Sequence, residues 1–112
     1  MVTDAIDWRG LYAVKYAIDP HDIERIALDF SRFLSERGLS DTNISTVTAT
    51  LSRDDGSAIT TEIVADVGHT VATAHSTVSG LLSGVVYHLT YTLTVTGGLR
   101  YRRSVVLECQ SR

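Results

Sequence analysis
A single cysteine, Cys109, rules out any disulfide within the chain, so the fold cannot be one of the small cross-linked secreted scaffolds. A lone thiol fits a reducing compartment. The first residues, Met1–Asp7, carry neither a basic nor an apolar leader region, and no later segment has the apolar length that spans a bilayer. The chain is therefore expected to stay in the cytoplasm and to leave membranes alone. One proline, no internal repeat and no low-complexity tract leave nothing that reads as a linker. Charge is equally short of a bias: 10 basic against 13 acidic residues give −3, which offers a phosphate backbone no footprint and argues against nucleic-acid binding.

What the sequence has in quantity is alternation. Val85, Tyr87, Leu89, Tyr91, Leu93 and Val95 alternate with Val86, His88, Thr90, Thr92 and Thr94, the signature of a half-buried strand. A second alternating run follows Gly97-Gly98, with Tyr101, Val105, Leu107 and Cys109 on one parity and Arg100, Arg102, Ser104 and Glu108 on the other. The two runs make a hairpin. A two-residue loop would mix the faces, so a three-residue loop, Gly97-Gly98-Leu99, is expected. That loop pairs Val95 with Tyr101, Tyr91 with Val105, Tyr87 with Cys109 and His88 with Glu108, and leaves Arg103 on the apolar side opposite Leu93.

Upstream, Val47, Ala49 and Leu51 alternate with Thr46, Thr48 and Thr50, and Ile59, Ile63, Ala65 and Val67 follow the Asp54-Asp55-Gly56 turn. This reads as a second hairpin. Residues 70–78 read as an edge strand, thin in bulk. Tyr12, Val14, Tyr16 and Ile18 begin the fold as a strand or extended arm. Between Asp19 and Gly38 periodicity supports two readings. Ile23, Ile26, Ala27, Phe30, Phe33 and Leu34 share a helical face between Asp19-Pro20 and Gly38, while Ile26, Leu28 and Phe30 also alternate as a strand.

Leu82-Ser83-Gly84-Val85-Val86-Tyr87 resembles the tyrosine corner of fibronectin type III and related sandwiches, with Tyr87 as the tyrosine that ties back to the preceding loop. An ordinary core tyrosine is the alternative. A longer pattern comprises Tyr16-Ala17-Ile18-Asp19-Pro20, Leu28-Asp29-Phe30-Ser31, Gly80 to Thr90, Gly97-Gly98 and Arg102 to Leu107. Over roughly residues 16–108 it is similar to small structural proteins of tailed-bacteriophage virions, the fibre-tail adaptor and head-neck proteins. The resemblance implies a mainly β, immunoglobulin-like antiparallel sandwich in which Leu28-Asp29-Phe30-Ser31 is a strand and turn, followed by a short helical turn near residues 31–36. It places the domain at 16–112, with residues 1–15 as an arm. It also implies a virion component assembled in the host cytoplasm in several copies against head, neck, tail or fibre proteins. Capsid decoration, or carbohydrate or receptor binding, is the alternative.

No residues are assigned to catalysis, to a cofactor or to a metal. His69 and His75, six residues apart, are too far separated along one strand to share an ion, and Cys109 falls on the predicted apolar face. No phosphate-binding or nucleophile motif occurs, so an enzyme is not expected. The candidate interface residues are Trp8, Tyr12 and Tyr16 in the arm, since tyrosine and tryptophan anchor interfaces, together with Arg100 and Arg102 at the hairpin. The competing reading packs the three aromatics into this domain's own core. The flat threonine faces on residues 46–50 and 90–94 lack the charge that usually guards an exposed sheet, and are expected to be covered by a neighbour.

Overall fold
The computed structural model describes residues 2–4, 12–39 and 44–110, and for 2–4 and 12–16 the backbone alone. In chain order the elements are β1 (Val2–Asp4), β2 (Tyr12–Ile18), β3 (Glu24–Asp29), α1 (Ser31–Glu36), β4 (Ile44–Arg53), β5 (Ile63–His69), β6 (Thr73–Ser79), β7 (Val86–Val95) and β8 (Arg100–Cys109). They form two four-stranded sheets, ordered β1-β3-β6-β5 and β2-β8-β7-β4, and the protein is a β-sandwich. The strand order follows the four-plus-three immunoglobulin arrangement. Two features depart from simple antiparallel pairing: β1 runs parallel to β3, and β2 adds a fourth strand parallel to β8. A boundary between residues 15 and 16 falls inside β2, whose backbone is paired from Tyr12 to Ile18.

β7 organises the core because its inward set, Tyr87, Leu89, Tyr91, Leu93 and Val95, is fully buried while its even residues are half-buried. Leu51 from β4, Val105 and Leu107 from β8, and Ile26 and Leu28 from β3 meet it. The alternative helix over residues 19–38 does not form as one element. Asp19-Pro20 makes a turn in which the Asp22 N–H donates to the Asp19 carbonyl (3.0 Å), and the chain crosses to the other sheet as β3. At the far end of β3, opposite that turn, helix α1 closes the sandwich with Phe33 and Leu34 buried. It ends where Gly38 adopts φ +72, with the Gly38 N–H on the Ser35 carbonyl and the Leu39 N–H on the Leu34 carbonyl, the double bond of a Schellman cap.

Four strand expectations are corrected. The β7–β8 loop has three residues as expected, but they are Thr96-Gly97-Gly98. The Val95 N–H donates to the Leu99 carbonyl (2.9 Å) and the Gly98 N–H to the Val95 carbonyl (3.0 Å), which the positive φ of both glycines permits. Register therefore moves by two: Tyr91 faces Arg103, Tyr87 faces Leu107 and His88 faces Val106, while every residue keeps its face. Second, β4 and β5 are not a hairpin. The Asp-Gly turn forms, with the Gly56 N–H on the Arg53 carbonyl (3.0 Å), but residues 57–62 carry the chain across to the other sheet, and β4 pairs with β7. Third, the odd-numbered apolar set of β5 does not line the core: Ile63, Ala65 and Val67 are exposed and Val64 packs on the core. Fourth, β6 lies between β3 and β5 rather than at an edge, and small residues suit it because Ala74, Ser76 and Val78 are all buried there.

Candidate functional site
The outer face of the β2-β8-β7-β4 sheet is built by alternation alone: burying the odd residues of β4, β7 and β8 turns their even residues outward. The registers assemble these into rows, Thr46–Thr94–Arg100, Thr48–Thr92–Arg102, Thr50–Thr90–Ser104 and Ser52–His88–Val106. Six threonines thus form a two-strand lattice flanked by two exposed arginines. The hydroxyls of Thr90 and Ser104 are 2.7 Å apart, and the Ser45 hydroxyl donates to the Thr94 carbonyl (2.9 Å). At the lower margin His88 Nε2 lies 2.6 Å from Asp54 Oδ1, and the residue directly opposite His88 on β8 is Val106, not the expected Glu108. Glu108 stands opposite Val86 instead.

Of the residues singled out in the sequence, Arg100 and Arg102 lie on this face. Tyr12 and Tyr16 belong to β2 at the same sheet's edge, with their backbones opposite Ser104 and Leu107. Trp8 lies outside the described residues. His69 and His75 occupy neighbouring strands β5 and β6 rather than one strand. His69 Nδ1 contacts the Thr70 carbonyl (2.9 Å), and the His75 ring fills the space that a Cβ on Gly68 would need. Among the described residues no group of three or more His, Cys, Asp or Glu could hold a metal ion. Cys109 is buried on the inner face, and burial, with Asp19 and Asp22 nearby, pushes its thiol pKa up, away from the thiolate that reacts.

Two clusters go beyond the sequence reading: the Tyr87 tie-back was expected, its link to a buried ion pair was not, and neither was a guanidinium pair stacked on Phe33. The hydroxyl of Tyr87 accepts from the Leu82 N–H (2.9 Å), the tie-back of a tyrosine corner, and donates to Glu62 Oε2 (2.8 Å). Glu62 also accepts from Arg53 Nε (2.7 Å) and from the Thr60 and Thr61 N–H groups, so its buried carboxylate joins three segments at the lower end. The Arg53 bond first, then the backbone and Tyr87 donors, outweigh burial and hold its carboxyl well below the usual carboxylate range. The inward parity of Arg53 after Val47, Ala49 and Leu51 was the available signal. Nothing in the sequence singled out Glu62.

At the upper end, Phe33 meets Phe30 and Tyr101 edge-on, at 5.7 and 5.1 Å between centroids. The guanidiniums of Arg37 and Arg103 stand over the Phe33 ring at 3.9 and 4.4 Å. Burial, and then the charge of Arg37, lower the pKa of Arg103. The inward-facing Arg103 therefore covers an aromatic ring instead of breaking the core.

The chain matches no family model and no curated protein. Neither comparison assigns it a family.

Proposed function
We propose that the protein is a non-enzymatic structural module of a bacteriophage particle, an immunoglobulin-like adaptor that joins head, neck, tail or fibre proteins through its β2-β8-β7-β4 face. The observation that carries the reading is the threonine lattice. It is an uncharged, β-branched sheet face bordered by Arg100 and Arg102, a surface suited to covering by another protein. The virion setting is supported by the resemblance over residues 16–108. Buried tyrosines, a buried thiol and ion pairs that end in hydrogen-bonded clusters support a binding role over chemistry.

The test is paired substitution of Thr48 and Thr92 by arginine in a phage that encodes the protein. Both side chains point outward, so thermal melting should be nearly unchanged while recovery in purified particles falls. Particles that incorporate the folded variant at full occupancy would refute the face. Purified particles in which the wild-type protein is undetectable would refute the virion reading itself.

A further inference from the structure
We infer that the protein associates head to tail with further copies of itself, through an arginine-rich upper end and a carboxylate-rich lower end. The registers fix which residues share an end. The β7–β8 loop, the start of β4, the end of β3, α1 and the 70–72 turn lie together: the Phe30 N–H bonds to the Ala72 carbonyl, the Ile44 N–H to the Val71 carbonyl, and Phe33 packs on Tyr101. The loops at 19–23, 54–62 and 80–85 gather at the other end. There the Asp54 N–H bonds to the Val86 carbonyl and the Gln110 N–H to the Ile18 carbonyl.

Among the described residues, charge is segregated along this axis. The upper end holds Arg32, Arg37, Arg100, Arg102 and Arg103 against Asp4, Asp29 and Glu36. Arg32 is paired with Glu36, but no carboxylate among the described residues pairs with the other four arginines. Arg37 and Arg103 are instead crowded on one ring, an arrangement an incoming anion would relieve. The lower end holds Asp19, Asp22, Glu24, Asp54, Asp55, Glu62 and Glu108, against Arg25, Arg53 and, nearby on β2, Lys15. Arg53 and the buried Glu62 are already committed to each other, so that pair adds nothing to the balance.

The two ends lie on a body whose extents are 42 × 26 × 24 Å, so each end is about the cross-section of the sandwich. One end complements the other and neither complements itself, which selects a heterologous contact over a two-fold one. Repeating it gives a ring where the rotation closes and a filament where it does not. The inference concerns the isolated chain and does not rest on the virion reading.

The experiment is sedimentation of the purified protein over a range of concentrations, at ionic strengths on the order of 0.01 M and 1 M, where the Debye lengths are about 30 and 3 Å. Mass should rise with concentration at low salt and return to the monomer at high salt. Arg100→Glu with Arg102→Glu, or Asp22→Lys with Asp54→Lys, should each weaken self-association about tenfold or more while the melting curve confirms folding. The two variants mixed should associate with each other, and all four changes in one chain should restore association with itself. A wild-type protein that stays monomeric at low salt would overturn the inference. So would association indifferent to salt and to either reversal, or variants that fail to complement.

Discussion
Tyr87 and Tyr91 stand four residues apart on the same inward face of β7, both with no exposed surface, yet their hydroxyls are held in opposite ways. Tyr87 donates to a carboxylate that is itself bound by a guanidinium at the rim of the sandwich. Tyr91, in mid-core, donates to the Ile26 carbonyl (2.9 Å) and accepts from the Ser76 hydroxyl (2.7 Å), and no charged side chain among the described residues joins that network. The difference separates two tasks. The rim network positions loops by charge, whereas the central network ties the two sheets together with neutral groups that a dry interior tolerates.

The sharpest way to break the comparison is Tyr91→Ala, which should destabilise by about 3–5 kcal/mol because it removes a buried ring and orphans two polar partners. Denaturant unfolding measures it. Glu62→Ala comes next at about 3 kcal/mol, the lower end for breaking a buried pair, since water can reach Arg53 at the rim. It should also raise hydrogen exchange at Thr60, Thr61 and Leu82, which Tyr91→Ala leaves protected relative to the core. Tyr87→Phe, which keeps the ring and loses the hydroxyl, should cost about 1.5–3 kcal/mol because its bond is to a charged group. A double-mutant cycle with Glu62→Ala should show strong coupling, and a cycle with Ser76→Ala almost none.

The two networks should also differ with pH: only the rim network fails in acid, while burial raises the hydroxyls of both Tyr87 and Tyr91, so both contribute to the alkaline limb. The Glu62 carboxyl is depressed in the fold, so its stabilisation is complete above its unfolded pKa of about 4.3 and is lost as pH falls below that toward the folded value. Melting temperature should drop in acid, and Glu62→Gln should flatten that limb. Burial, the dominant influence, pushes the Tyr91 hydroxyl up to about 12, so its contribution is complete below its unfolded pKa of about 10 and is lost as pH rises above that. Tyr91→Phe should shallow the alkaline limb without touching the acid one. The smallest effect belongs to the outer face: Thr92→Ala should change stability by no more than about 0.5 kcal/mol.

Legibility in the sequence follows the same division. The inward faces of β7 and β8 could be read because period-2 alternation survives any even shift of register, and for that reason it could not reveal that Tyr91 faces Arg103. The tyrosine corner was visible as a spacing because its two bonded groups, Tyr87 and Leu82, are close in sequence. Glu62, 25 residues from its partner Tyr87, was invisible, since a lone glutamate after a turn usually faces water. The face of β5 was not legible because the strand carries apolar residues on both parities, and the bulge around Asp66, at φ 51, interrupts its alternation. Of the candidate interface, Arg100 and Arg102 follow directly from β8 alternation.

The pairing of β2 with β8 has a consequence for synthesis. Its partners, from Tyr12 with Ser104 to Ile18 with Cys109, are about ninety residues apart in the chain. A ribosome delivers β2 early and β8 after every other described strand, so one sheet must wait, with the facing edges of β2 and β7 unpaired, until the last ladder emerges. Self-association tested on nascent chains would find that exposed edge before it found the finished ends, which makes the interval before β8 arrives the protein's most vulnerable moment for misassembly.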